Sequence, residues 1–327
     1  MNLKRHIKSL TIEKETILFK LFYQIMIQVK LLGGLGNQLF QLAYAIDIAN
    51  KTQEDIILDV SVYKKYKVRE FSLQHFKIFS KCKLVDDNKY GIRLGFFTYR
   101  AYQKLMKIIR VTDRYGKWPF YFLSKFGFYY NFDQNFYSLD YKKNNKILYG
   151  YFQSEKYFLS AKKTIHEMFK VETELTEVEK NYRDSFHSSN ALAISMRLGS
   201  DYYNCKDLNV CDSEYYHSAI RKFINKYSNT NICFFVFSDE IEKAEEILKV
   251  YHDIDIYFVV GLTDYQSLRF MSLFDKFIIP NSSFSWWGAY LSNSTNKEII
   301  CPNKWFNNIN DDSDIYTSEM IKLKDYK

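Results

Sequence analysis

The chain has 327 residues, 47% of them hydrophobic and 18% aromatic, and carries a formal net charge of +8. That composition argues against a disordered chain and suits two domains of about 150 residues, each with a sizeable buried core. Its five cysteines and six histidines form no CxxC, no HExxH and no mixed cluster, so neither a metal site nor a disulfide framework is expected.

Cys82, Cys205, Cys211, Cys233 and Cys301 read mostly as core fillers of a protein kept in a reducing cytoplasm. The positive charge suits an anionic ligand or an anionic membrane surface. Dispersed Lys and Arg, with no recognition motif, argue against nucleic acid. The 28 Tyr and 28 Phe fit either aromatic faces laid against sugar rings or the codon bias of an AT-rich genome. No apolar run reaches the roughly 18 residues that would span a bilayer. Residues 1–25 read as an extension without a signal-peptide cleavage site.

In chain order, residues 27–32 form a short buried strand and the turn Gly33-Gly34-Leu35-Gly36 follows. Asn37 then caps a helix on which Leu39, Leu42, Ala43, Ile46 and Ala49 recur at helical spacing. Residues 56–58, ending at Asp59, make a second strand and complete a β-α-β start. Residues 89–141 are basic and crowded with aromatics, and Pro119 reads as a break. They suit helices over a ligand site, a patch resting on a membrane, or plain helical packing. After about residue 188 strands and helices alternate clearly. Strands are expected at 191–196, 232–237, 256–260, 277–280 and, as the last, 298–301. A helix begins near Ser213 with Tyr216, Ile220, Phe223 and Tyr227 on its apolar face. Asp239 with Glu242, and Thr263 with Gln266, read as capping boxes. This alternation predicts doubly wound parallel sheets with ligands at the carboxyl ends of the strands. The division expected is 1–25, 26–165 and 166–327, with a soft boundary near 155–185.

Three strand-to-helix turns could carry chemistry. Gly33, Gly34, Gly36, Asn37 and Gln38 form either a tight turn or a ligand contact at a helix start, without the spacing of a dinucleotide or P-loop motif. Ser195-Met196-Arg197-Leu198-Gly199-Ser200-Asp201-Tyr202 puts an arginine at a strand end. There Arg197 either clamps a diphosphate leaving group or pairs with Asp201 at the surface. Asn281-Ser282-Ser283-Phe284-Ser285-Trp286-Trp287-Gly288 is either an anion cradle of hydroxyls and amides or a serine cap before two packed tryptophans.

Taken together, GGLGNQLFQLAYA, REFSLQHF (69–76), GYFQSEKYF (150–158), FSDE (237–240) and NSSFSWWGAYL followed by PNKWF resemble glycosyltransferase family 11, the α-1,2-fucosyltransferases. The resemblance keeps its order from about residue 27 to 306. It implies a GT-B architecture, two Rossmann-like domains facing a cleft, and metal-independent inverting transfer from GDP-fucose with no cofactor. On the same basis Arg197 holds the diphosphate, Asp201 faces guanine or ribose, and Asp239, Asn281, Ser282, Ser283, Phe284 and Ser285 complete the donor site. One departure stands out. The family's HxRRGDY has Ser195 at its His and Leu198 at its second Arg, so SMRLGSDY looks more like the HLRxGSD of protein O-fucosyltransferases. Asp59 and Glu155 lie in family-like segments as candidates for a general base, and Asn37 could orient the acceptor hydroxyl.

The expected acceptor is a galactose-terminated oligosaccharide or lipid-linked glycan of a bacterial surface polysaccharide. Transfer would then take place in the cytoplasm at the inner face of the plasma membrane, with peripheral membrane contact. Two alternatives remain open: a GDP-sugar transferase of another linkage or acceptor, and a non-catalytic glycan- or nucleotide-binding protein. Asp253-Ile254-Asp255 has the spacing of a metal-binding DxD but runs straight into a strand, which favours a solvated acidic stretch.

Overall fold

The computed structural model describes residues 25–65, 69–86, 100–101, 104–105, 116–141, 144–186, 191–307 and 313–324. Residues 1–24 and much of the basic aromatic stretch therefore lie outside the described residues.

The first half builds a five-stranded sheet from β1 (Met26–Lys30), β2 (Asp55–Asp59), β3 (Cys82–Val85), β4 (Phe128–Asn131) and β5 (Lys146–Gly150), in the order β3-β2-β1-β5-β4. Every pairing is parallel. Between β1 and β2 runs α1 (Leu35–Thr52), whose residues Leu39, Leu42, Ala43 and Ile46 are buried. The N-cap of this helix lies three residues earlier than the sequence predicts. Gly34 is its N-cap, so Asn37 sits inside the first turn and does not cap it. Pro119 lies in the first turn of α2 (Lys117–Ser124), where a missing N–H costs nothing.

A short helix, α3 (Lys162–Met168), and α4 (Glu177–Asp184) lead to the second sheet. That sheet contains β6 (Ala191–Met196), β7 (Cys233–Ser238), β8 (Ile256–Phe258), β9 (Lys276–Ile278), β10 (Glu298–Pro302) and β11 (Met320–Leu323). Its order is β8-β7-β6-β9-β10-β11, again parallel throughout. Counted from β6 this is the 3-2-1-4-5-6 order of nucleotide-binding α/β sheets, with its switch point between β6 and β9. The strand expected to be last is followed by β11, hidden in a tail that looks polar. Between these strands lie α5 (Ser200–Tyr203), α6 (Ser213–Lys226), α7 (Ile241–Leu248), α8 (Asp264–Met271) and α9 (Ser283–Tyr290). On α6 Tyr216, Ile220 and Phe223 are buried as predicted, and Tyr215 and Ala219 join them. Thr263 and Gln266 do form a capping box on α8. Asp239 and Glu242 do not, because the carboxylate of Asp239 is engaged elsewhere, as described below.

The halves share one core. Trp286 and Trp287 of α9 are fully buried and meet Phe40 of α1 at ring-centroid distances of 4.6 and 5.0 Å. Phe158 stacks on Trp287 at 5.4 Å, and Phe169 meets it edge-on at 5.3 Å. Within the second half a polar tie holds α4 to α8: Glu179 accepts hydrogen bonds from Arg269 Nε and Gln266 Nε2 at 2.9 and 3.2 Å. Burial pushes the Glu179 carboxyl up, but the Thr176 N–H and Arg269 outweigh it and hold it below its ordinary value. All five cysteines are free thiols.

Candidate active site

The carboxyl ends of both sheets open onto one cleft of about 710 Å³. At the switch point of the second sheet, β6 delivers Arg197. Its backbone N–H donates to Tyr216 Oη at 3.2 Å. Its guanidinium is gripped on one side by Asp239, which follows β7, and on the other by Asp201 in α5. Asp239 is itself fixed by the backbone, accepting from the Leu198 N–H at 2.7 Å and the Gly199 N–H at 3.2 Å. A Cβ on Gly199 would fall 2.6 Å from Asp239 Oδ2 and 2.8 Å from Asp201 Oδ1, so only glycine lets both carboxylates approach. The surface ion pair that the sequence offers as an alternative for Arg197 is thus present, and it sits inside the cleft.

Two helix N-termini face the same space. Gly34 to Asn37 of α1 and Ser282 to Ser285 of α9 line the cleft, and neither helix has an acidic residue in its first turn. Their unpaired N–H groups and dipoles favour an anion. The helices touch at their starts. A Cβ on Gly36 would lie 2.4 Å from Phe284 N and from Ser283 C.

Side chains of the two turns differ in what they do. Gln38 donates to Gly33 O at 3.2 Å and Glu70 O at 2.7 Å, and accepts from the Ser72 N–H at 3.1 Å. It is therefore a fully engaged structural amide. Asn37 Oδ1 accepts from Gln153 Nε2 at 2.8 Å at the edge of the cleft. Gln153 follows Phe152, whose φ of +52° puts a non-glycine residue in the left-handed region. Asn281 lines the cleft, but its amide donates to Leu208 O and Trp305 O and its Oδ1 accepts from Tyr202 Oη at 2.6 Å. Its visible work is to lock three loops together. Ser195 Oγ and Ser285 Oγ share a buried hydrogen bond of 2.6 Å. The hydroxyl that replaces the expected histidine is thus matched by a second serine across the switch point.

Neither candidate base lies in the cleft. Asp59 is wholly buried; it accepts from the Ser61 N–H at 2.9 Å and pairs with Lys30 at 3.6 Å. Glu155 is absent from the cleft lining and shares an environment with Tyr290, Lys162, Lys297 and Glu319; burial raises its carboxyl while Lys162 lowers it. The first is needed to hold the end of β2, and the second belongs to a helix–helix junction. Asp253 and Asp255 lie outside the cleft lining as well. Among the described residues no cluster of three or more His, Cys, Asp or Glu is placed to hold a metal.

Sequence reasoning missed Arg69 and Glu70, which line the cleft from the first half. The only sign of them was the REFSLQHF segment. It also missed the wall made by Phe132 and Tyr151, whose rings meet edge-on at 5.1 Å beside Gln134 and Gln153.

Two parallel doubly wound sheets, with a pinned arginine and two helix starts facing a shared cleft, define a GT-B glycosyltransferase fold. The chain belongs to glycosyl transferase family 11, whose model matches residues 26–324. It is similar to the α-1,2-colitosyltransferase of Escherichia coli, at 29% identity over 293 residues covering 86% of this chain and 92% of that one. It is also similar to the Escherichia coli O-antigen biosynthesis glycosyltransferase WbnK, at 28% over 295 residues, 84% of this chain and 93% of that one. Among solved structures, a mutant of Arabidopsis thaliana FUT1 in complex with GDP has the same fold, with a TM-score of 0.50 at 13% identity over 85% of this chain and 70% of that one. No helix among the described residues is long and apolar enough to cross a membrane.

Proposed function

We propose that this glycosyltransferase moves L-fucose from GDP-β-L-fucose to the 2-hydroxyl of a terminal galactose, with inversion, during assembly of a bacterial surface glycan. The observation that carries the reading is Arg197, held at the end of β6 by two carboxylates and facing two helix starts. In the reaction the acceptor oxygen bonds to the anomeric carbon while the bond from that carbon to the β-phosphate oxygen breaks. The bonding pair stays on the diphosphate, which becomes GDP. A fixed guanidinium and oriented amides stabilise that growing charge without reorganising. The guanidinium and these amide dipoles do the work a metal would do elsewhere, so transfer is expected without a metal or cofactor.

The apolar end of the cleft, with Phe237, Val259 and Leu262, suits the base. Asp201 turns to ribose or guanine once the nucleotide is bound, and Ser282 and Ser283 face the phosphates. The Phe132–Tyr151 wall with Gln134, Gln153 and Asn37 has the aromatic-and-amide character of a sugar site and is assigned to the acceptor galactose. Of the cleft carboxylates, Asp201 and Asp239 hold Arg197 and Asp264 accepts from Ser72 Oγ at 2.6 Å. Glu70 is exposed on the acceptor side and takes the hydroxyl proton in this reading. Peripheral contact with the inner membrane surface is assigned to α2, where Trp118 and the following Phe126 are exposed beside Lys117 and Lys125. Sedimentation with anionic vesicles at low salt tests that contact.

The deciding experiment is GDP release from GDP-fucose in EDTA against galactose-terminated oligosaccharides, with the linkage read by NMR. Acceptor-dependent release is expected, and Arg197→Ala should lower kcat by about 10²–10³. A second reading, a colitosyl donor, is motivated by the colitosyltransferase relative. Offering both donors in the same assay separates the two.

A further inference from the structure

We infer that Arg69, from the acceptor-side half, is a second catalytic cation on the departing diphosphate, so that each half of the molecule supplies one guanidinium to the leaving group. The inference rests on the donor reading given above and adds a residue to it.

Arg69 comes from the loop between β2 and β3 of the first half, yet it and Arg197 converge on a single atom. Asp201 Oδ2 accepts from Arg197 and lies 3.5 Å from Arg69 Nη2. A carboxylate oxygen is the nearest protein mimic of a phosphate oxygen in charge and acceptor geometry. Its position therefore marks where an anion would meet both guanidinium groups. The two helix starts line this cleft too, so positive potential reaches it from four sources. One carboxylate is a poor match for that, and a diphosphate is a good one.

Arg69 is also built into place. Its stem runs across Gly34, where its Cδ would lie 3.4 Å from an added Cβ, an ordinary van der Waals contact. The backbone on its C-terminal side is clamped by Gln38, through Glu70 O at 2.7 Å and the Ser72 N–H at 3.1 Å. Ser72 Oγ then donates to Asp264 Oδ2 of the other half at 2.6 Å. The glycine turn and its glutamine thus make a platform that presents an arginine to the cleft. When the glycosidic bond to the β-phosphate oxygen breaks, the electron pair and its charge stay on the diphosphate, between Arg197 and Arg69. The acceptor proton leaves on the opposite side of the sugar.

The test measures GDP affinity by calorimetry and steady-state turnover for the parent, Arg69→Ala and Arg69→Lys, with thermal midpoints as a fold check. Arg69→Ala should weaken GDP binding about tenfold and lower kcat by about 10²–10³, and Arg69→Lys should restore part of both. Parent-like kcat and GDP affinity in Arg69→Ala would overturn the role while leaving the donor reading intact. So would a change confined to the acceptor KM, which would make Arg69 an acceptor ligand. A parent protein that does not bind GDP would remove the donor reading itself, and this inference with it.

Discussion

Of the strand–turn–helix passages at the cleft, those after β1 and β9 use their polar groups in opposite ways. After β1, Gln38 hydrogen-bonds entirely within its own half of the molecule, and Gln41 does the same by closing on Leu32 at 3.0 and 2.9 Å. After β9, Ser282 and Ser283 face open space, and Ser285 meets Ser195 across the switch point. Gln38 and Gln41 are scaffold that shapes the cleft; Ser282 and Ser283 leave their side chains open to it. Similar local grammar does not imply a similar job, because tertiary neighbours decide which donors and acceptors remain available.

The hardest way to break the comparison is to remove what holds the two turns together. Trp287→Ala should destabilise the protein by about 3–5 kcal/mol in urea titration, with the loss shared by both halves in one transition. Two separate transitions, with the first half unaffected, would contradict the shared core. Next comes Gly36→Ala, whose new methyl meets the backbone of Ser283 and Phe284. It should cost about 1–3 kcal/mol and also reduce GDP affinity, because α9 must shift at its N-terminus.

A matched pair sharpens the contrast directly. Gln38→Ala leaves the buried Ser72 N–H and the Glu70 carbonyl without the partner Gln38 supplies, while Gly33 O keeps Tyr63 Oη at 2.7 Å, and should cost about 1–3 kcal/mol of stability. Ser283→Ala should stay within about 0.5 kcal/mol of the parent in stability while raising the Kd for GDP. The reverse pattern would exchange the roles assigned to the two turns.

The smallest expected effect is a pH slope from Glu179, which ties α4 to α8. Its carboxyl is held below the ordinary 4.5 in the folded protein. The stabilisation is therefore fully present above the unfolded value and is lost as pH falls through the lower folded one. Glu179→Gln should flatten the decline of urea stability on acidifying below about pH 4.5.

Much of the second sheet could be read from its sequence, since β6 and β7 are apolar runs between clear helical patterns. In the first sheet β3 is a short edge strand with exposed residues, and β4 is three aromatics and an asparagine within an aromatic stretch. Neither has a periodicity that separates it from its flanks. Arg197, Gly199 and Asp201 were legible because a strand end, a glycine and a carboxylate lie within one segment. Asp239 was misread because an acidic residue before a helix looks like a cap until a distant backbone claims its oxygens. Arg69 and Glu70 were marked only by the REFSLQHF segment, which gives them no chemistry, since their position at the cleft exists only after the halves pack. Asp59 and Glu155 show the opposite error, in which a carboxylate within a family-like segment serves the fold.

The joint aromatic core also governs how the chain can be made. The nascent first half leaves the ribosome with Phe40, Phe158 and Phe169 waiting for Trp286 and Trp287 of α9, far along the chain. Until α9 is translated, that hollow has no lid and remains an aggregation-prone surface for chaperones to guard. The core of the first half is therefore complete only once α9 is available to close it.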